Sequence, residues 1–175
     1  MNPSPSLDVE KLPVLVVEDN DDDVFILRRA FKDAQLNNPI HVVTDGEEAV
    51  DFLAGDGKFA NRSQYPFPVL VLLDLKLPLK SGLEVLEWIQ GQPFCSELNV
   101  IVLTSSAEER DITKAYHLGA RSYLTKPPTA ETLREVMTAL NDSLITKKAI
   151  RRLKLSDDHF ARTKIGAKTN EMFKG

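Results

Sequence analysis

The sequence is poor in residues that staple or anchor a chain. It has one cysteine, Cys95, in 175 residues. That excludes an internal disulfide framework and fits a reducing compartment. The three histidines, His41, His117 and His159, are scattered. No Cys/His cluster has the spacing of a zinc site, and no catalytic role is assigned to these histidines. No apolar run nears the ~18 residues needed to cross a bilayer. Residues 1–11 lack the basic start and apolar stretch of a secretory signal. The expectation is a cytoplasmic protein with no membrane association. No GxxxxGK[ST] occurs, which excludes a nucleotide P-loop.

What the chain does have is an alternating apolar pattern. Its 42% hydrophobic and 27% charged residues suit one domain of roughly 100–150 residues with an appendage. The charge is divided. Residues 1–143 carry 13 basic and 23 acidic side chains, and residues 144–175 carry 9 basic and 3 acidic. The body favours cations and the tail an acidic partner; a solvated extension is the simpler reading of the tail.

Five apolar runs of strand length stand out: Val14–Val17, His41–Val43, Val69–Leu73, Asn99–Leu103 and Tyr123–Thr125. Helical spacing follows each, over Val24–Ala34, Glu47–Leu53, Leu83 to about Gln90, about Glu108–His117, and from about Thr129 onward. Gly119 reads as the cap of the fourth helix, and Gly55–Pro68 as a loop. Continuous apolar strands are buried on both faces. Five βα alternations therefore predict a doubly wound α/β fold, a five-stranded parallel sheet with helices on both faces. The expected layout is an N-terminal extension over 1–11, the domain over 12–143, and a basic, partly helical extension over 144–175. The last helix either runs to about Leu155 or breaks at Asn141-Asp142-Ser143.

In open α/β sheets, function gathers at the carboxyl ends of the strands. Those ends read Glu18 and Asp19, then Asp74, then Thr104 and Ser105, then Lys126. Any one of these acids alone reads as a helix N-cap; the agreement of four strand ends singles them out together. Three carboxylates repel one another and raise their own pKa values unless they are neutralised. Lys126 offsets one unit of charge and a divalent cation two more. Oxygen donors without nitrogen or sulfur suit Mg2+. A cation beside a carboxylate lets an anionic phosphoryl group approach, and a carboxylate nucleophile can form an acyl phosphate.

At this point the sequence resembles the receiver domains of two-component response regulators. The motifs are Leu15-Val-Val-Glu-Asp-Asn20, Leu72-Leu-Asp-Leu-Lys-Leu-Pro78, Val102-Leu-Thr-Ser-Ser106 and Tyr123-Leu-Thr-Lys-Pro127. They fall in order over about residues 12–140. Single-domain regulators of the phytochrome-linked type are most similar, with an acidic opening, a longer loop before the third strand and a Gly119-Ala-Arg-Ser-Tyr123 segment.

The resemblance implies that Asp74 accepts a phosphoryl group, with Mg2+ bound, from a sensor histidine kinase, and its phytochrome-linked side points to a phytochrome-like one. Asp19 is then a direct metal ligand, Glu18 a ligand through water, and the backbone carbonyl of Lys76 a further ligand. Thr104 and Lys126 contact phosphoryl oxygens, and a cis Lys126–Pro127 bond is implied. Tyr123 becomes an aromatic switch coupled to Thr104; a half-buried strand residue is the other reading. Lys76 and Ser106 hold positions that influence the acyl-phosphate lifetime in this family. Two residues depart from the common pattern: Glu18 stands where Asp is frequent, and Pro128 where a larger apolar residue is usual.

No output or DNA-binding domain is expected after the receiver. The stripe Leu133, Val136, Leu140 and Leu144 suggests a homodimer through the fourth helix, fifth strand and fifth helix, or burial beneath the tail. Two other classes stay open. A metal-dependent phosphatase with Asp74 as nucleophile normally wants a second acid two residues on, where Lys76 stands. A flavodoxin-like cofactor binder wants a Gly/Ser/Thr-rich loop after the first strand, where Glu18-Asp-Asn-Asp-Asp-Asp23 stands.

Overall fold

A computed structural model describes residues 11–105 and 108–154, with side chains up to residue 147. Ser106 and the tail beyond Lys154 lie outside the described residues. The strands are β1 (Val14–Val17), β2 (Ile40–Val43), β3 (Leu70–Asp74), β4 (Asn99–Thr104) and β5 (Ser122–Thr125). All pairs are parallel and the order is β2-β1-β3-β4-β5. The chain therefore reverses its winding between β1 and β3, and that crevice is where such sheets bind ligands. Every residue of β1, β3 and β4 is buried, as expected of strands covered on both faces.

The helices are α1 (Asp21–Asp33), α2 (Gly46–Ala54), α3 (Gly82–Gln90), α4 (Glu109–His117) and α5 (Ala130–Lys154). Alternate strand residues feed two cores. Leu15, Val17, Val71, Leu73 and Val102 face Phe52, Leu53, Val85, Leu86 and Ala115 of α2, α3 and α4. Val14, Val16, Leu72, Ile101 and Leu103 face Leu27, Phe31, Leu133, Met137 and Leu140 of α1 and α5.

Local chemistry sets the helix ends. Asp45 caps α2 by accepting the Glu48 N–H at 2.7 Å, and Gly55 closes it at φ 77°, a conformation that favours glycine. Ser81 and Glu84 form a capping box on α3. Gly119 follows α4 at φ 96°, so the expected cap is present.

The structure corrects the start of one helix, adds detail to the long loop and decides between the two readings of the last helix. Helix α1 begins at Asp21 and not at Val24. Asn20 is its cap, accepting the Asp23 N–H at 3.0 Å, and three aspartates in the first turn complement the helix dipole. The segment Gly55–Pro68 is tethered and contains a short 3-10 turn at Gly57–Phe59. Arg62 donates to the carbonyls of Phe52 (2.7 Å), Leu53 (2.6 Å) and Tyr65 (3.2 Å), satisfying groups freed at the end of α2. Around that clamp Phe52, Phe59, Tyr65 and His41 pack ring to ring. Burial, then the Arg28 charge, holds the His41 pKa below its ordinary value. Finally, α5 passes Asn141-Asp142-Ser143 without a break, and Leu133, Val136 and Leu140 are buried within the monomer. It is α1 and the sheet that cover this stripe, and Leu144 packs at its edge.

Cys95 lies in a 3-10 turn (Pro93–Cys95) and is 3% exposed. Burial pushes its thiol up to about 11. A free thiol titrates near ~8.5, so at pH 8 the native protein should react with iodoacetamide at least about 100-fold more slowly than the urea-unfolded chain. Equal rates would mean that the turn opens. Trp88 is half-buried against the same core and meets Phe94 edge-on at 6.1 Å, a packing role.

Candidate functional site

Register brings the polar residues together. Val17 pairs with Leu73, and Asp74 pairs with Leu103. Glu18 thus leaves β1 beside Asp74 at the end of β3. Thr104 and Thr125 are paired at the ends of β4 and β5, so Lys126 comes next on the same rim. Glu18 is 2% exposed, Asp74 7% and Thr104 5%, whereas Asp19 and Ser105 are exposed.

Lys126 is the centre of the charge network. Its Nζ donates to Asp74 Oδ2 at 2.9 Å and to Asp23 Oδ2 at 3.0 Å, and it forms an ion pair with Glu18 Oε2. Burial pulls the lysine pKa down, but the three carboxylates outweigh it and hold the ammonium above its ordinary value. Glu18 shows the reverse balance. Burial lifts its pKa more than Lys126 and the Asn20 N–H lower it. Glu18 Oε1 accepts that N–H at 3.1 Å, and Asp74 Oδ1 accepts the Lys76 N–H at 2.9 Å. The Lys126–Pro127 peptide is cis.

Glu18, Asp19 and Asp74 each offer a carboxylate oxygen, and these atoms lie within 4.8 Å of one another. Three hard oxygen donors at that spacing fit a divalent cation that keeps several waters. The donor set matches Mg2+ better than a soft metal, since no thiol or imidazole joins it among the described residues.

Five of the residues expected from the sequence, Glu18, Asp19, Asp74, Thr104 and Lys126, stand at this rim. Lys76 is tied to it through its backbone, with an exposed side chain. Tyr123 is half-buried and meets Tyr116 of α4 edge-on at 6.4 Å, on the flank between α4 and β5. Asp23 was missed. A helix read as starting at Val24 leaves Asp23 in an acidic run before it. The capping signal at Asn20, three residues earlier, could have placed it in the first turn.

A buried carboxylate under a lysine, with two more acids at the switch point of a 2-1-3-4-5 parallel sheet, defines the class: a two-component receiver. The chain belongs to the response regulator receiver domain family, whose model matches residues 14–138. The response regulator Rcp1 of Synechocystis sp. (strain ATCC 27184 / PCC 6803 / Kazusa) is 37% identical over 113 residues, spanning 65% of this chain and 75% of that protein. The crystal structure of response regulator RPA3017, in red light signaling of R. palustris, is 36% identical with a TM-score of 0.67, covering 71% of this chain and 90% of that one. The Mn(2+)-bound form of Rcp1 is 33% identical with a TM-score of 0.61, covering 72% and 88%. A receiver domain works with a histidine kinase. No helix among the described residues is long and apolar enough to cross a membrane.

Proposed function

We propose that this protein is a phosphorylation-switched regulator in which Asp74 accepts the phosphoryl group. A carboxylate oxygen of Asp74 attacks the phosphorus of a phosphohistidine on the kinase. The P–N bond breaks, its electron pair returns to the imidazole nitrogen, and that nitrogen takes a proton from solvent. An acyl phosphate on Asp74 results, and attack by water later releases inorganic phosphate. Bound Mg2+, held by Glu18, Asp19, Asp74 and the Lys76 backbone carbonyl, supplies neutralising charge for the phosphoryl oxygens. Lys126 gives up its bond to Asp74 Oδ2 and turns its ammonium to a phosphoryl oxygen. Thr104 takes another with its hydroxyl, and Tyr123 repacks against the space Thr104 leaves, altering the surface of α4, β5 and α5.

The observation that carries this reading is the Lys126 ammonium 2.9 Å from the Asp74 carboxylate inside the acid cluster. Acetyl phosphate with Mg2+ should add one phosphoryl group to the full chain, read by intact mass, and Asp74→Asn should add none. Equal labelling of both proteins would overturn the assignment. Turnover of an aryl phosphate would favour the phosphatase reading, for which Lys76 gives no general acid.

A phytochrome-like sensor kinase in the cytoplasm is the partner we favour, because a relative serves red light signaling. The homodimer is proposed on the α4–β5–α5 face. A groove there is bounded by Tyr123, Leu124, Glu131, Glu135 and Ala139, and Ile145 of α5 is 53% exposed. The stripe Leu133, Val136 and Leu140 is spent inside the monomer and lends it no support. Light scattering at micromolar concentration, with and without acetyl phosphate, decides between one chain and two.

A further inference from the structure

We infer that Asp23 is a positioning residue for Lys126, the tether that keeps the ammonium aimed when its other two carboxylates are called away. The inference rests on the reading of Asp74 as phosphoacceptor. An ammonium has three N–H donors and no acceptor. In this site the ammonium donates to Asp74 and Asp23 and forms an ion pair with Glu18. Glu18 and Asp74 also belong to the trio whose oxygens converge within 4.8 Å and fit a cation; Asp23 does not. A cation and a phosphoryl group therefore draw on two of the lysine's three partners and leave the third alone.

Lysine is a flexible four-carbon stem that loses considerable rotamer freedom when it is fixed. A lysine left with no anchored partner spreads over many rotamers, and its charge is then not preorganised for the phosphoryl oxygens. Asp23 can serve as the anchor because its own place is set by the fold. Its backbone N–H donates to Asn20 Oδ1 at 3.0 Å, and α1 is packed on the sheet through Leu27, Ala30 and Phe31. It is half-buried, whereas its neighbours Asp21 and Asp22 are exposed. Those two supply the same charge to the helix N-terminus and lack the contact with Lys126, so they separate a helix-dipole role from a tethering role.

The test compares wild type with Asp23→Ala, Asp23→Asn and Asp22→Ala, all as full chains. The first readout is not an activity. With Mg2+ bound, which draws on Glu18 and Asp74, the Lys126 Nζ resonance in 15N-labelled protein should be slow to exchange in wild type and in Asp22→Ala, and lost in Asp23→Ala. The second is the rate of phosphoryl uptake from acetyl phosphate at saturating Mg2+. It should fall about tenfold in Asp23→Ala, recover in part in Asp23→Asn, which keeps an acceptor oxygen, and stay near wild type in Asp22→Ala. A persisting ammonium signal in Asp23→Ala, or an unchanged uptake rate in both Asp23 variants, overturns the tether. An equal loss in Asp22→Ala also overturns it, since helix charge then explains the effect. Wild type that takes no phosphate overturns the phosphoacceptor reading instead, and the resonance with Mg2+ bound still judges the contact.

Discussion

Lys126→Met should tighten Mg2+ binding about tenfold while slowing phosphoryl uptake about 100-fold. The two effects run in opposite directions because the ammonium has two jobs. In the resting site it occupies Glu18 Oε2 and Asp74 Oδ2, oxygens of residues that also fit a cation. It therefore competes with the metal for donors and repels it as a like charge. Removing one unit charge from a partly screened site is worth at least about 1.4 kcal/mol to a dication, which is tenfold in affinity. Uptake of phosphate suffers because a preorganised cation aimed at developing phosphoryl charge is lost, and one such donor is worth ~100-fold or more.

Methionine keeps the bulk of the stem, so the loss is one of charge. The metal-free variant should also be less stable by roughly 3 kcal/mol, because Glu18 and Asp74 stay buried without their counter-charge. Added Mg2+ should then raise its melting temperature more than it raises that of wild type. Calorimetric titration with Mg2+, an intact-mass time course and thermal melts with and without Mg2+ give the three numbers. If affinity and uptake fell together, the lysine would be an organiser of the acids and not their competitor.

How legible this site was depended on what kind of signal each residue leaves. Glu18, Asp74 and Thr104 end apolar runs, and a strand buried on both faces marks its own end by the first polar residue; Lys126 follows the short, half-buried run of β5. Four such ends on one parallel sheet could be placed on one rim without coordinates. Asp23 leaves no such mark, because a carboxylate in the first turn of a helix looks the same whether it serves the dipole or a lysine 103 positions away. Arg62 is hidden for another reason. Its partners are backbone carbonyls at Phe52, Leu53 and Tyr65, and backbone acceptors carry no sequence identity. The stripe on α5 misled because periodicity reports that a face is apolar and not what covers it. Here α1 supplies the cover, with Leu27 and Phe31 on the same core as Leu133 and Leu140.

Gly82→Ala should be a severely damaging single-methyl change next to the site, costing about 3 kcal/mol and roughly 10 °C in melting temperature. Gly82 is buried at the start of α3 and donates its N–H to the Leu75 carbonyl at 3.1 Å. A Cβ there would meet the Asp74 carbonyl oxygen at 2.2 Å and Leu75 Cα at 2.7 Å. Both are backbone atoms, so no rotamer change relieves the overlap. Strand β3 cannot retreat either, because β1 and β4 pair with it on both sides. The strain must be taken by the end of β3 or by the first turn of α3. The first choice displaces Asp74, so Mg2+ affinity should fall along with stability; the second breaks the Ser81–Glu84 capping box. Gly91→Ala is the matched control at the other end of the same helix. Its backbone is right-handed, at φ −76°, and the nearest atom to a new Cβ is the Trp88 carbonyl oxygen at 3.4 Å. That variant should melt near wild type or slightly above, since alanine has less unfolded-state freedom to lose. A Gly82→Ala protein that melts with wild type and binds Mg2+ equally well would show that the turn after Asp74 gives way freely, and that the close packing of α3 on the end of β3 is not what holds the acceptor carboxylate in place.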